Sequence, residues 1–228
     1  MSDARSTILT AIRATLRPDR ATADPAAIAA AAAGLLLRVP PLRPDRVRGA
    51  AAEAFLARVA SPAVGASAER IVSLAGLPDA VRRYLAAHDL AASIALQPHP
   101  ELCALDWSGI ATHPRIDLDE PVAVGLALGG IAETGSLVFH SGPTAPTLFA
   151  FLPLHHIVAV AAERIWPWLE DYAAALATLP VPRNVNLVTG PSGTTDIEGT
   201  LVRGAHGPGH LHVVLVDPAY HPPASDAA

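Results

Sequence analysis

Three polar, glycine-rich stretches of this 228-residue chain could do chemistry. In GGIAETGSLVFH (129–140) one carboxylate, Glu133, stands between glycines at the mouth of an apolar strand, followed by Thr134 and Gly135. Glycines let the backbone approach a ligand closely, and their N–H groups can hold an anion. Glu133 could act there as general base, nucleophile or hydrogen-bond acceptor, or sit solvated in a turn. In TGPSGTTDIE (189–198), Gly190, Pro191 and Ser192 turn out of a strand, and Thr195, Asp196 and Glu198 open an expected helix. That is an anion-binding layout, because free N–H groups and the dipole at a helix start attract negative charge. The same letters also have a structural explanation: Thr195-x-x-Glu198 is a capping box, and Asp196 suits the helix dipole. In RGAHGPGHLHVV (203–214), His206 and Gly207 occupy a turn, while His210 and His212 share one face of the next strand. With His155 or His156 these would suggest zinc. No HExxH or comparable spacing supports that, so no metal is expected, and the histidines read as strand-end caps or as one polar ligand contact.

Composition removes several classes of chemistry. All 16 basic residues are arginine. Without lysine there is no Schiff-base nucleophile, hence no ordinary pyridoxal-phosphate chemistry, and no Walker A motif. Cys103 is the single cysteine, so the chain alone can form neither a disulfide nor a four-thiolate zinc or iron–sulfur site. A net charge of −5 with scattered arginines lacks the basic stripe of a nucleic-acid binder. The N-terminus has Asp3, Arg5 and Arg13 inside its apolar pattern and no signal-peptide core. The uncharged run from 134 to 162, apart from its own ends, is broken by glycines and three prolines, unlike a membrane helix. A cytoplasmic protein with no membrane span is expected.

Regular elements must position these loops. Ile8, Leu9, Ile12 and Leu16 have the spacing of an amphipathic helix, and an Ala/Pro-rich linker follows with a short helix over 25–37. Helices are also expected over 46–59, 77–88, 165–179 and 194–204. Strands are expected over 92–98, 122–130, 135–141, 155–162, 184–190 and 210–217. Short apolar strands alternating with helices imply an α/β fold, with a largely parallel sheet covered by helices on both faces. Residues 1–60 read as an N-terminal helical extension and linker, 61–220 as the α/β domain, and 221–228 as a disordered tail.

GIAETGSLVF (130–139), LPLHHIVAV (152–160), VTGPSGTTDIE (188–198) and LVRGAHGPGHLHVVLVD (201–217), in this order, resemble the LUD-domain family of lactate utilization protein C, also called YkgG-like. The resemblance implies a NagB/RpiA/CoA-transferase-like fold and an accessory, non-redox subunit in the oxidation of L-lactate to pyruvate. Iron–sulfur clusters would then lie on partner subunits, with no cofactor in this chain. By matching position it implies ligand contacts from Glu133, Thr134, Gly135, Gly190, Pro191, Ser192, Thr195, Asp196, Glu198, His206 and Gly207, toward a small carboxylate, a phosphate or a partner. The alternative is a stand-alone enzyme of the CoA-transferase or sugar-phosphate-isomerase kind using Glu133, for which no arginine stands beside the glycine turns in sequence. A third reading makes the polar turns mere caps on a scaffold.

Overall fold

The computed structural model describes residues 2–15, 24–38, 47–195, 201–204 and 206–221. The chain divides into two compact units, Met1–Arg43 and Pro44–Ala228. The first contains helices α1 (Ser2–Thr15), expected from its apolar spacing, and α2 (Pro25–Arg38), expected as a short helix in the Ala/Pro-rich stretch.

In the second unit, six strands build one sheet. They are β1 (Ser67–Ile71), β2 (Ser93–Leu96), β3 (Ala111–His113), β4 (Val122–Leu126), β7 (His155–Ala161) and β12 (His210–Val216). Their order is β1-β12-β7-β4-β2-β3, and every neighbouring pair is parallel. A strand covered on both faces reads as a continuous apolar run, and HHIVAVA of β7 is buried through its first six residues. Helix α4 (Leu77–Ala87) covers one face. Its Leu77, Ala80, Val81, Tyr84 and Leu85 recur at helical spacing and pack with Ile94, Val124, Ile157 and Val214. Leu102 of the short α5 (Pro100–Cys103) joins them. On the other face, Phe55 and Val59 of α3 (Ala51–Val59) meet Val158, Val160, Val213 and Leu215. The remaining helix is α6 (Leu169–Leu176).

A second sheet shares that face with α3. Its strands are β5 (Gly129–Ile131), β6 (Ser136–His140), β8 (Ile165–Trp166) and β9 (Val185–Val188), in the order β8-β5-β6-β9. Leu137, Phe139 and Val188 carry its apolar side into the core. The expected strand over 122–130 is therefore two strands in two sheets. The glycines make this possible: a Cβ on Gly130 would lie 2.7 Å from the Phe55 ring, and one on Gly129 would collide with Trp166.

Three expected helices are corrected. That over 46–59 starts only at Ala51, after Gly49 at φ 76°. That over 165–179 begins as β8, and α6 starts after Pro167, which cannot donate into a helical ladder. The helix expected over 194–204 is absent at both described ends. β10 (Gly193–Thr195) and β11 (Leu201–Arg203) instead pair antiparallel, with Thr194 opposite Val202. Threonine and valine are β-branched and favour a strand ladder over a helix.

Candidate functional site

Because β7 and β12 run parallel, the loops that lead into them lie together at their amino ends. The described residues between 188 and 209, which lead into β12, belong to that edge. Ser192 N–H donates to the Pro208 carbonyl (2.7 Å), and Gly204 N–H donates to the Ser192 carbonyl (3.1 Å). Gly207 sits against Ser192, where a Cβ would lie 3.2 Å from that residue's own. Gly190 has φ 72°, and any Cβ there would strike the Val64 carbonyl just before β1. His206 is exposed and Pro191 half-buried. Asp196 and Glu198 lie outside the described residues.

The 129–140 stretch joins the same edge through hydroxyls. The Ser136 hydroxyl is buried and lies 2.7 Å from Thr134 Oγ1 and 2.6 Å from Thr189 Oγ1, linking β6 to the end of β9. Gly135 takes φ 72° and leaves room for Arg58 of α3, whose Cγ would be 2.8 Å from a Cβ at this position. Sequence spacing gave no hint of that arginine, since α3 and the glycine turn meet only through the fold. Glu133 is half-buried, and its Oε1 accepts the N–H of Leu169 (3.0 Å). Leu169 opens α6, so the carboxylate satisfies one of the orphan donors at a helix start and faces the positive end of its dipole. The structure thus gathers Glu133, Thr134, Gly135, Gly190, Ser192 and Gly207 along one edge.

Below this edge, on the α4 side, lie aromatic and imidazole rings. Tyr84 OH is 3.0 Å from His155 Nδ1, and the His155 ring stacks on His210 at 4.2 Å between centroids. Burial first, then the neighbouring His210 and His88, hold the His155 imidazole down at about 4. His212 is paired separately, with Nδ1 2.8 Å from Ser67 Oγ and Nε2 3.2 Å from Glu69 Oε1. The hydrogen bond with His212 lowers the Glu69 carboxyl below its ordinary range; burial opposes this, and Arg83 adds to it. Among the described residues, no three His, Cys, Asp or Glu side chains form a group that could hold a metal ion. His156 points to the opposite face, fully buried, stacked on Phe139, with neither ring nitrogen hydrogen-bonded. Burial pushes its imidazole down to about 3.

A cavity of about 470 Å³ opens at the carboxyl ends of β2, β4, β7 and β12, where open α/β sheets usually bind ligands. Leu126, Ala161 and Val216 supply strand-end apolar surface, and Gln97, His99, Glu101, His140, Thr144, Glu163 and Arg164 supply polar groups. Gln97 is 2% exposed and fully engaged: Leu126 N–H donates to its Oε1 (3.0 Å), and its Nε2 donates to the Thr144 carbonyl (2.9 Å). His140 Nε2 lies 2.8 Å from Tyr172 OH, and burial holds this imidazole below its usual range. None of the loop residues singled out from the sequence lines this cavity.

Comparison with known proteins agrees with the fold. The LUD domain model matches residues 121–216. The chain is 35% identical over 117 residues to lactate utilization protein C of a Geobacillus species (strain WCH70), covering 48% of each chain. It is 31% identical over 107 residues to the protein of the same name from Deinococcus radiodurans, covering 46% of this chain and 50% of that one. The match thus spans about half the length of these curated relatives. A crystal structure of a DUF162 family protein from Deinococcus radiodurans superposes with a TM-score of 0.51 at 22% identity, covering 73% of this chain and 96% of that one. Residues 121–216 are thus similar to the LUD domain that the motifs resemble, and the chain has the α/β fold expected for it.

Proposed function

We propose that this chain serves lactate utilization as a non-redox subunit of a lactate-oxidising assembly, holding a small hydroxy- or keto-carboxylate at the amino-end loops. One observation carries the reading: three motif segments distant in sequence converge, with Ser136 bonded to Thr189 and Ser192 bonded to Pro208. The Arg58 side-chain stem packs against Gly135, which brings an arginine to the glycine turn that carries Thr134. A carboxylate takes hydrogen bonds from hydroxyl and N–H groups and is held more strongly where a guanidinium faces it. Iron–sulfur clusters belong, in this reading, to partner subunits, since one cysteine cannot supply a cluster's thiolates. Relatives named lactate utilization protein C support the pathway.

Calorimetric titration with L-lactate and with pyruvate tests the carboxylate site. Saturable binding is expected, weakened about tenfold by Arg58→Gln, the loss of one charge-assisted hydrogen bond. Failure of both acids to bind removes the carboxylate from the reading. Affinity purification of the chain from lactate-grown cells tests the assembly, the expected result being a brown, iron-containing co-purifying protein. Acyl transfer by Glu133 has less support, because its carboxylate is engaged by Leu169 N–H. Loss of acyl-CoA turnover in Glu133→Gln would revive it.

A further inference from the structure

We propose that the carboxyl-end cavity is a second ligand site, separate from the amino-end loops, and that it takes an uncharged nucleoside. Its volume of about 470 Å³ falls in the range of pockets that enclose drug-sized ligands, and a molecule as small as lactate would leave most of it filled with water. The lining carries two carboxylates, Glu101 and Glu163, against one guanidinium, Arg164. That balance repels polyanions, so a nucleoside triphosphate or a dicarboxylate is a poor occupant. Carboxylates are good acceptors for the paired hydroxyls of a ribose, as in dinucleotide sites where an acidic residue binds the ribose. Phe139, Leu126 and the strand ends offer apolar surface for a flat base.

Two features mark the cavity as built rather than incidental. Gln97 is locked across its floor by two hydrogen bonds, and this requires glycine beneath it. A Cβ on Gly125 would lie 2.8 Å from Gln97 Oε1 and 3.0 Å from His156 Nε2. The site takes in the point between β2, whose chain moves on to β3, and β4, whose chain moves to β7 in the opposite direction, the position at which such sheets open a crevice.

Titration of the full chain with adenosine, followed by ligand-observed NMR and calorimetry, tests this. Saturable binding is expected, unaffected by excess L-lactate. Glu163→Gln and 2′,3′-dideoxyadenosine should each weaken it at least about tenfold, the loss of hydrogen bonds to a charged acceptor. Ala161→Trp, which fills the cavity, should abolish binding while the unfolding midpoint stays near that of the parent chain. Should Ala161→Trp fold poorly, Glu163→Gln carries the test, because Glu163 is exposed and not in the core. No saturable binding of adenosine, guanosine or uridine overturns the proposal. So does adenosine binding that is insensitive to Glu163→Gln, or that lactate displaces. Lactate binding lost in Arg58→Gln with adenosine binding intact would keep the two sites distinct.

Discussion

The two ends of the parallel sheet are built in different ways. At the amino ends, main-chain bonds, the hydroxyls of Thr134, Ser136 and Thr189 and glycines at positive φ knit loops into a platform. At the carboxyl ends, side chains from scattered strand termini stand around open space, with Gln97 and His140 held by hydrogen bonds. A motif-rich region can therefore be chiefly architectural at the level of single bonds, while a cavity can be lined by residues that no motif announces. The two also differ in electrostatics. The imidazoles His155 and His156 are kept neutral inside the sheet, whereas Glu101, Glu163 and Arg164 of the cavity have their charges at its rim.

The largest effect that would sharpen this contrast is acid lability of the sheet interior. A folded pKa of about 3 for His156 lies below that of the unfolded chain, so the unfolded state takes up the proton first. Stability from this group is complete above about pH 6.5 and is lost as pH falls from there toward 3. The full loss is on the order of 5 kcal/mol for the shift involved, with His155 adding in the same direction down to about 4. Chemical denaturation at stepped pH should show the slope, and His156→Leu should flatten it. A pH-independent midpoint between 6.5 and 4 would contradict the burial of these rings.

Next comes the platform itself. Gly190→Ala combines a left-handed backbone with a collision against the Val64 carbonyl, and should cost about 3 kcal/mol or more. A neutral outcome in urea melts would mean that Gly190 is not held against Val64. Glu133→Ala should cost about 1 kcal/mol by freeing the Leu169 N–H at the start of α6. Recovery of most of that loss in Glu133→Gln would show that an acceptor, rather than a charge, is needed there. The smallest effect belongs to the cavity rim. Glu163→Gln should change the unfolding free energy by less than about 0.5 kcal/mol, the usual span for exposed positions. A larger loss would place Glu163 in the architecture and erase the difference between the two ends.

Much of the sheet was legible from local pattern. HHIVAVA and HLHVVLV are apolar runs of strand length, and both became central strands. The 77–87 helix declared itself by its 3.6-residue period. Errors gathered where two local signals competed. Thr194, Thr195 and Val202 could cap and continue a helix or enter a ladder, and the pairing of 193–195 with 201–203 decided for the ladder. Gly129 and Gly130 looked like the end of a strand, yet they start a second sheet because Trp166 and Phe55 pack directly on them.

Sequence alone determined the α/β class, the helix and strand character of the longest periodic segments, and the resemblance of residues 121–216 to the LUD domain, since these depend on local periodicity and on motifs contiguous in the chain. It also settled which chemistry the chain cannot supply from its own side chains, having no lysine and one cysteine. Only the tertiary structure decided which loops share an edge, that Arg58 stands beside Gly135, that Glu133 holds the start of α6, and that the cavity lies at the opposite end. Those are contacts between segments far apart in sequence, set by sheet order and by the close approaches glycine permits, and no local pattern encodes them.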